Sequence, residues 1–231
     1  MPEELKNGIL KRLPEKELEI FMKLAELVHM DPRDTVIEPY KPVEVVHFPE
    51  IGLHSMVSIC DNEEVEVATV GFEGMIGIPL VLGEQATAVR VFCQMTGSSW
   101  EIKSQAFLEM LDTCPVFRRL CTRYCFFVLE QAGQNSACNR IHSINERCAK
   151  WLLLSHDRAF GDQFDLTQEF LAQMLGVRRQ SVNLAAGTLQ SAGLVKYTRG
   201  IVTVLNRAGL EDASCECYTI IKTSLVKFLT T

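Results

Sequence analysis

The chain has 231 residues, of which 47% are hydrophobic and 23% are charged, and its formal net charge at pH 7 is −6. This length fits one large or two small domains, and the hydrophobic content suffices for their cores. No run of roughly 18 uncharged apolar residues occurs, so we expect no membrane-spanning segment. The amino-terminal residues lack the basic and then apolar layout of a signal peptide, which predicts a cytoplasmic protein.

The acidic charge is unevenly distributed along the chain. From Ile141 to the end there are 10 basic and 8 acidic residues, whereas the first 140 residues contain 13 basic and 21 acidic residues. A local basic surface, rather than the net charge of the whole chain, is what binds phosphate. An acidic net charge therefore does not exclude a nucleic-acid interface in the carboxy-terminal part.

The amino-terminal part changes from a helix to a series of strands. Apolar residues recur at helical spacing from Glu15 to about Val28. From Thr35 to Ile102 the pattern is one of short strands separated by turns, which is typical of an antiparallel barrel or jelly roll. The predicted strands cover 35–38, 43–48, 55–60, 64–70, 88–92 and 99–102, with Asp61-Asn62 as a hairpin turn.

A long helical run extends from Pro115 to about His142. Its apolar residues recur at intervals of three, four or seven, which is typical of a seam between two helices. We expect this seam to hold a homodimer, although the same face could instead pack on the strands of its own chain. The predicted seam residues are Phe117, Cys121, Tyr124, Val128 and Gln131.

The segment 165–204 predicts a winged helix-turn-helix. Thr167 is suited to cap a first helix, and Gly176 is suited to end it because glycine tolerates the left-handed backbone of a helix end. A second helix follows, and then two short strands at 194–197 and 201–204 form a hairpin. Two short helices joined by a tight turn and followed by a hairpin indicate the winged form of this motif.

The start of the second helix groups side chains that are suited to reading DNA. In this motif the amino-terminal end of the second helix enters the major groove. Arginine can form two hydrogen bonds with guanine, and glutamine or asparagine can do the same with adenine. A solvated polar face is the alternative, but an ordinary surface rarely groups these residue types at one turn. The predicted DNA-binding residues are Thr167, Arg178, Arg179, Gln180, Ser181, Asn183 and, on the hairpin, Arg199.

The order of these parts resembles the Crp/Fnr-type bacterial transcription regulators, which are related to the cyclic-AMP receptor protein. The resemblance covers nearly the whole chain. Residues 71–77 (Gly-Phe-Glu-Gly-Met-Ile-Gly) fall where the phosphate-binding cassette of the family begins, and residues 176–194 match its helix-turn-helix. The stretch 48–53 is similar to one branch of the family.

This resemblance implies an α+β fold in three parts. An antiparallel β-roll, similar to a cyclic-nucleotide-binding jelly roll, is expected as the sensor domain over 1–113. A dimerisation helix is expected over 114–142, and a winged helix-turn-helix DNA-binding domain over 143–231. The partners implied are a second copy of the chain, double-stranded DNA with a two-fold operator, and RNA polymerase.

The function expected from the resemblance is transcription regulation under the control of a small effector that is sensed in the β-roll. One alternative is a ligand- or redox-sensing module whose cysteines bind metal or change oxidation state. Another is a thiol enzyme, but no Cys-His-Asn arrangement or nucleophile elbow is visible. We therefore expect no enzymatic activity.

The cassette departs from the family pattern at both of its ligand-binding positions. Met75 stands where the family places an acid for the ribose hydroxyl, and Ala86 stands where it places an arginine for the cyclic phosphate. Without that arginine, a phosphate beside Thr87 would have no positively charged partner at that position. We therefore expect no binding of cyclic AMP, and the effector is unknown. The expected pocket residues are Glu73, Gly74, Met75, Gly77, Ile78, Ala86 and Thr87.

Two cofactors of other family branches can be weighed in the same way. The iron–sulfur branch needs an amino-terminal cysteine cluster, whereas the first cysteine here is Cys60. Haem needs an accessible histidine or cysteine ligand, for which His29, His47 and His54 are available. A lone histidine is more often structural, so we favour neither cofactor.

The nine cysteines are an odd number, and the expected compartment is reducing, so free thiols are predicted. Cys114, Cys121 and Cys125 share one helix face, which favours small apolar packing over a redox or metal site. Cys215 and Cys217 form a Cys-x-Cys pair that can bind metal but needs further ligands, and none lies close in sequence. We therefore expect no metal site.

Overall fold

The structure, a computed structural model, describes residues 5–61 and 63–230 of the chain. The chain forms two compact units, of which the first comprises Met1–Met56, Thr69–Leu129 and Leu225–Thr231, and the second Val57–Ala68 and Glu130–Ser224. The predicted turn at Asp61-Asn62 and the amino terminus include residues outside the described part. The boundary between the units falls inside the long helix, and the division of the chain after residues 113 and 142 stays a prediction.

The chain contains both helices and strands, as the predicted mixed class requires, and a short 3-10 helix (Leu10–Arg12) precedes them. In chain order they are α1 (Glu15–Leu24), β1 (Ala25–Met30), β2 (Thr35–Ile37), β3 (Val45–Cys60), β4 (Glu63–Val70), α2 (Ile78–Val81), β5 (Arg90–Lys103), α3 (Ser104–Thr113), α4 (Pro115–Ile141), α5 (Ile144–His156), β6 (Gln163–Asp165), α6 (Gln168–Leu175), α7 (Arg179–Ser191), β7 (Val195–Thr198), β8 (Ile201–Val204), α8 (Arg207–Asp212) and α9 (Cys217–Thr230). Within the described residues, no helix has the length and apolar character that crossing a membrane requires.

The amino-terminal strands form an antiparallel sheet in the order β1-β5-β3-β4, and β2 also pairs with β5. β1 lies along β5 from Ala25, opposite Ile102, to Met30, opposite Gly97. β2 pairs with the start of β5 with a shift in register between Thr35 and Ile37. The sheet confirms the predicted antiparallel β-roll.

Two strands are longer than predicted, because glycines that the sequence suggests as breaks lie inside continuous strands. The sequence predicts separate strands on either side of Gly52 and of Gly97, whereas β3 and β5 run through these glycines. Gly52 has a φ of 99°, and a Cβ added at Gly97 would lie 2.0 Å from the carbonyl oxygen of Ile51. The glycines therefore permit a close approach of β3 and β5 instead of ending them.

The first helix is shorter than predicted. α1 ends at Leu24 and the chain continues directly into β1, so the helix does not reach Val28. Val28 lies opposite Ser99 of β5, and Leu27 is 55% exposed. The residues at 24–28 have helical spacing, but pairing with β5 satisfies their backbone groups in an extended conformation.

Aromatic side chains fill the core of the first unit. Phe21 of α1 meets Phe48 of β3 edge to face, with ring centroids 5.0 Å apart. Phe107 of α3 and Phe117 of α4 form a second such pair at 5.5 Å. All four rings are fully buried. Because such pairs contribute about 0.5–1.5 kcal/mol each beyond their burial, they hold the start of α4 on the sheet.

The long helix α4 buries the face that the sequence predicts as a dimer seam. Tyr124 packs against Phe127 and Phe228, with ring centroids 6.0 Å and 5.5 Å away, and a Cβ at Gly74 would overlap its ring. This corrects the predicted seam, because the protein's own chain covers its residues. The buried residues are Phe117, Cys121, Tyr124, Val128 and Gln131.

A different face of α4 is exposed, and we call it the outer stripe. It consists of Thr122, Phe126, Leu129, Gly133 and Ser136, which are spaced three or four residues apart. Phe126 is 58% exposed and Leu129 is 67% exposed. A Cβ added at Gly133 would have no neighbour within 4 Å. The helical periodicity is as predicted, but the exposed face that could contact a partner differs from the predicted one.

The second unit contains α5, α6 and α7 and a small sheet in the order β6-β8-β7. α5 begins with a capping box, in which Ser143 and Glu146 each hydrogen-bond the other's backbone N–H. β6, α8 and α9 are absent from the sequence-based prediction. β6 is only three residues long and α8 six, so their hydrophobic patterns are too short to be distinctive.

Candidate nucleic-acid interface and effector cavity

The turn between α6 and α7 has the geometry that the sequence predicts. The hydroxyl of Thr167 accepts a hydrogen bond from the N–H of Phe170 at 3.1 Å and so caps α6. Gly176 has left-handed backbone with a φ of 61°, and the N–H of Val177 donates to the carbonyl of Ala172 at 3.0 Å. Arg178 then precedes the first turn of α7, so the two helices are joined by a short, fixed connection.

Small and apolar side chains hold α6 and α7 together. Ala172 of α6 is buried, as are Val182, Ala185 and Ala186 of α7. Small residues at a helix crossing let the two axes approach closely. This packing fixes the inner face of α7 and leaves its amino-terminal polar residues on the outside.

The hairpin of β7 and β8 forms the predicted wing. Thr198 pairs with Ile201, and the two residues between them, Arg199 and Gly200, have φ values of 52° and 84°. Two successive positive φ values are typical of the tight turn that matches strand twist in a hairpin. Arg199 is exposed at the tip of this wing.

A groove of about 420 Å³ brings together three of the predicted DNA-binding residues: Thr167, Arg179 and Arg199. Gln168 and Tyr197 also line it and were missed by the sequence reasoning, because neither belongs to the start of α7. The other predicted residues lie on or beside the first two turns of α7. Of these Arg178, Gln180 and Asn183 are exposed, and Ser181 is half-buried.

The surface around the groove carries basic side chains. Arg178, Arg179, Lys196 and Arg199 are all exposed, and in the part of the chain that the structure describes no carboxylate forms an ion pair with them. Lys196 was not predicted, although alternation along β7 places it outside, opposite Thr203. Unpaired cations on one surface can bind phosphate without first breaking an internal salt bridge.

A second concave site, which we call the cavity, lies in the first unit and has a volume of about 220 Å³. Five of the seven predicted pocket residues line it: Met75, Gly77, Ile78, Ala86 and Thr87. The other two do not. Glu73 is buried and accepts a hydrogen bond from the N–H of Gly71 at 3.1 Å, and Gly74 packs against Tyr124.

The lining of the cavity is mostly aliphatic. Val70, Ile76, Val89 and Val91 contribute to it, and Glu84 is its ionisable residue. Within the described residues, no arginine, lysine or histidine lines the cavity. A phosphate group placed there would lose its hydration without gaining a countercharge.

The histidines weighed as haem ligands fall into two groups. His47 and His54 are buried, and burial lowers the pKa of His47 to about 4 and that of His54 to about 3. His29 is exposed and lies 3.2 Å from Asp31. The buried rings are neutral at pH 7 and inaccessible, which favours a structural role for both.

The cysteines at positions 114, 121 and 125 are buried within the first unit. Burial raises the pKa of Cys121 well above its usual value and the pKa of Cys125 to about 11. Thiols of this kind stay protonated and pack as small apolar groups. The geometry thus supports the apolar-packing interpretation of these three residues.

The second unit contains a separate group, the cysteine–histidine cluster, which consists of Cys138, His142, Cys215 and Cys217. The three sulfur atoms and one ring nitrogen all lie within 4.8 Å of one another. Cys215 and Cys217 were considered as metal ligands from the sequence, whereas Cys138 and His142 were not. A cysteine and a histidine four residues apart on one helix face are a recognisable pair of ligands, and this spacing could have identified them.

A family model for the Crp-like helix-turn-helix domain matches residues 146–213 of this chain. No curated protein matches the sequence significantly. The model covers α5, the two helices of the motif, the wing and α8.

Solved structures match the fold over most of the chain. A Crp/Fnr-family regulator from Eubacterium rectale aligns with 91% of this chain and 99% of its own, with a TM-score of 0.70 and 15% identity. FixK2 from Bradyrhizobium japonicum aligns with 83% of this chain and 98% of its own, with a TM-score of 0.70 and 15% identity. TTHB099, a CRP-family transcriptional regulator from Thermus thermophilus, aligns with 81% of this chain and 96% of its own, with a TM-score of 0.68 and 16% identity.

These matches confirm the resemblance found in the sequence. Residues 146–213 form a Crp-like helix-turn-helix domain, and the chain has the fold of the Crp/Fnr family of transcriptional regulators.

Proposed function

We propose that the protein is a dimeric, sequence-specific DNA-binding transcription regulator of the Crp/Fnr type, located in the cytoplasm and without enzymatic activity. The observation that carries this proposal is the groove shared by α6, the start of α7 and the wing tip. It joins a helix end with exposed hydrogen-bonding side chains to a basic hairpin, which is the arrangement that a winged motif needs for the major groove and its flanking phosphates.

The side chains around the groove divide into two classes of contact. Arg179 is the first residue of α7, Gln180 follows it, and Asn183 lies one turn further on. These three side chains are therefore placed to reach base edges. Arg178 belongs to the turn, and Arg199 lies on the wing tip, so both are placed to contact phosphates. Exposed Leu184 beside Asn183 offers an apolar contact, such as one with a thymine methyl group.

A second copy of the chain is the partner that we propose for the outer stripe of α4. Its spacing of three and four residues is that of a two-helix seam, and Phe126 and Leu129 are too exposed for a helix that stays alone. Open space around Gly133 would allow two helices to approach closely. Two copies would then present two α7 helices to a two-fold operator, with half-sites about 34 Å apart.

The cavity in the first unit is the proposed effector site. Its aliphatic lining, with one carboxylate and one threonine hydroxyl, fits a small and largely apolar molecule rather than a cyclic nucleotide. The departures at Met75 and Ala86 support the same conclusion, because both side chains line the cavity without offering a ribose or phosphate contact. The role of RNA polymerase as the downstream partner rests on the family resemblance.

Binding of duplex DNA by the full-length chain tests the proposal. Fluorescence anisotropy with a labelled operator, taken from genome-wide footprinting, should give an affinity at physiological salt at least about 10³-fold tighter than for a scrambled duplex. Equal affinity for both duplexes would remove sequence-specific recognition from the proposal. No binding to either would remove the DNA-binding role.

A further inference from the structure

The cysteine–histidine cluster joins two distant parts of the sequence within the second unit. Cys138 lies in the last turn of α4, and His142 follows one turn later, with its N–H donating to the carbonyl of Cys138 at 3.1 Å. Cys215 and Cys217 lie between α8 and the start of α9. Cys138, Cys215 and Cys217 are buried, and His142 is half-buried.

We propose that Cys138, His142, Cys215 and Cys217 form a four-ligand site for a thiophilic divalent cation, of which Zn²⁺ is the best example. The Sγ atoms of Cys138 and Cys215 are 3.5 Å apart, and Sγ of Cys217 is 3.5 Å from Nδ1 of His142. With metal–sulfur bonds of about 2.3 Å, the edges of a tetrahedron around the ion are about 3.8 Å. The four donor atoms therefore need only small adjustments to surround one ion.

The same distances disfavour a disulfide in this conformation. A disulfide requires about 2.05 Å between the sulfur atoms, whereas Cys138 and Cys215 are 3.5 Å apart and all cysteines are free. Cys217 and His142 would also have no role in a bond between the other two residues. Three sulfurs and an imidazole that converge on one point are explained by a shared ion.

Charged and polar neighbours fit a site with ionised thiols. Lys150 is buried, its Nζ donates a hydrogen bond to Asn135 at 2.7 Å, and its positive charge acts on Cys138. Arg147 is also buried, and it interacts electrostatically with Cys138 and Cys215. Three thiolates and a divalent metal ion carry a net charge of about −1. This charge would neutralise one of the buried cationic side chains, which are costly to leave unpaired.

Two features would tune the ligands themselves. The side-chain amide of Gln134 donates to Sγ of Cys217 at 3.0 Å, which is the kind of outer hydrogen bond that orients a metal ligand. Cys217 is the first residue of the 14-residue helix α9, whose positive dipole end offsets part of the cost of burying a metal-bound thiolate. With four protein ligands the coordination is complete, so the ion would have a structural role in tying α9 to the end of α4.

The test uses the full-length chain, purified in reductant without a histidine tag. Elemental analysis should find one zinc ion per chain, and replacement by Co²⁺ should give the visible bands of tetrahedral cobalt with a thiolate-to-cobalt band in the near ultraviolet. Cys217→Ser and His142→Gln should each weaken cobalt binding by at least about 100-fold, and Gln134→Ala should weaken it by about 10- to 100-fold. Cys60→Ser, which changes an exposed cysteine of the same unit, is the matched control and should bind as the wild type does.

Three results would overturn the proposal. One is a folded, reduced wild-type chain that takes up neither zinc nor cobalt. Another is an octahedral cobalt spectrum, or one that Cys217→Ser and His142→Gln both leave unchanged. The third is mass-spectrometric evidence of a Cys138–Cys215 disulfide in protein that binds no metal. These measurements do not involve DNA, so their failure would leave the proposed regulator function standing.

Discussion

The cavity of the first unit and the groove of the second unit are both concave, but they offer opposite chemistry. The cavity is lined by aliphatic side chains with one carboxylate and, among the described residues, no cation, whereas the groove is lined mostly by polar side chains, with two arginines and one carboxylate, Glu169. Binding of an anion is therefore unfavourable in the cavity and favourable in the groove. The difference supports our proposal that the two sites bind different classes of molecule, and that the cavity does not bind the phosphate of a cyclic nucleotide.

The cysteines show the same contrast on a smaller scale. Cys121 and Cys125 lie in apolar surroundings that raise their pKa values, so they behave as packing residues. The Sγ of Cys138 instead lies 3.5 Å from that of Cys215, and the hydrogen bond between the two thiols lowers the pKa of Cys138 and raises that of Cys215. The residue type alone therefore does not assign a role, because neighbouring charges and donors decide it.

The largest effect is expected from the outer stripe of α4. Phe126→Asp combined with Leu129→Asp should place like charges in the seam and dissociate the dimer. Because a monomer engages only one half-site, operator affinity should fall by about 10²- to 10⁴-fold. Light scattering and anisotropy measure the two effects. Leu108→Asp, at an exposed apolar residue of α3, is the control and should change neither. A wild-type chain that is monomeric at micromolar concentration would contradict the seam.

Acid should destabilise the first unit through its buried histidines. His47 and His54 have pKa values lowered to about 4 and about 3, whereas the unfolded chain has histidine pKa values of about 6.5. Below pH 6.5 the unfolded chain binds more protons, so this stability is complete above pH 6.5 and is lost as the pH falls. At pH 5 each buried histidine should lower the free energy of unfolding by about 2 kcal/mol relative to its value above pH 6.5.

Denaturant unfolding at pH 7 and pH 5 measures this loss. His54→Leu should reduce the difference between the two pH values, whereas His29→Leu, at an exposed position, should leave it unchanged. An equal loss of stability in both variants and in the wild type would show that buried histidines are not its source.

Arg179 and Arg199 separate base reading from phosphate binding within the groove. Arg179→Ala should cost about 1–3 kcal/mol per half-site and relax the base preference at one operator position. Competition with a panel of single-base operator variants measures both quantities. A uniform loss of affinity over the panel would assign Arg179 to the phosphate backbone instead.

Arg199→Ala should have a smaller and different effect. Since the wing tip is expected to contact phosphate, the substitution should weaken binding to all sequences alike and reduce the slope of log K against log salt by about 1 per chain. A salt titration on the operator and on a scrambled duplex measures this slope. If Arg199→Ala changed base preference and left the slope intact, the wing would be a reader.

The smallest expected effect concerns cyclic nucleotides and the cavity. Because its lining contains no cation among the described residues, cyclic AMP and cyclic GMP should bind no more tightly than millimolar. Isothermal titration calorimetry on the full-length chain measures this. A micromolar dissociation constant for either nucleotide would show that the cavity can bind a phosphate group. The proposed contrast with the groove would then be wrong.

The helix-turn-helix could be predicted in detail because its signals are local. Thr167 and Gly176 determine the ends of α6 through caps that depend on neighbouring residues only, and the wing turn at Arg199 and Gly200 is equally local. The continuous strand β3 could not be predicted, because Gly52 has the same appearance in a turn as in a close strand crossing.

Two further features depend on contacts that are distant in sequence. Periodicity identified the buried face of α4, but it did not show that Phe228 of the same chain covers Tyr124. The cysteine–histidine cluster was missed because its halves are 77 residues apart at Cys138 and Cys215. Patterns along the chain show which residues are buried or paired locally, and the fold decides what they meet.

Selection of bound duplexes from a random library tests the central claim most directly. The wild-type chain should enrich a motif with two-fold symmetry and half-sites one helical turn apart, about 34 Å. Arg179→Ala should enrich the same spacing with one position in each half-site relaxed. Enrichment of no motif by the folded wild-type chain, or of an identical motif by Arg179→Ala, would contradict the assignment of α7 as the DNA-reading helix.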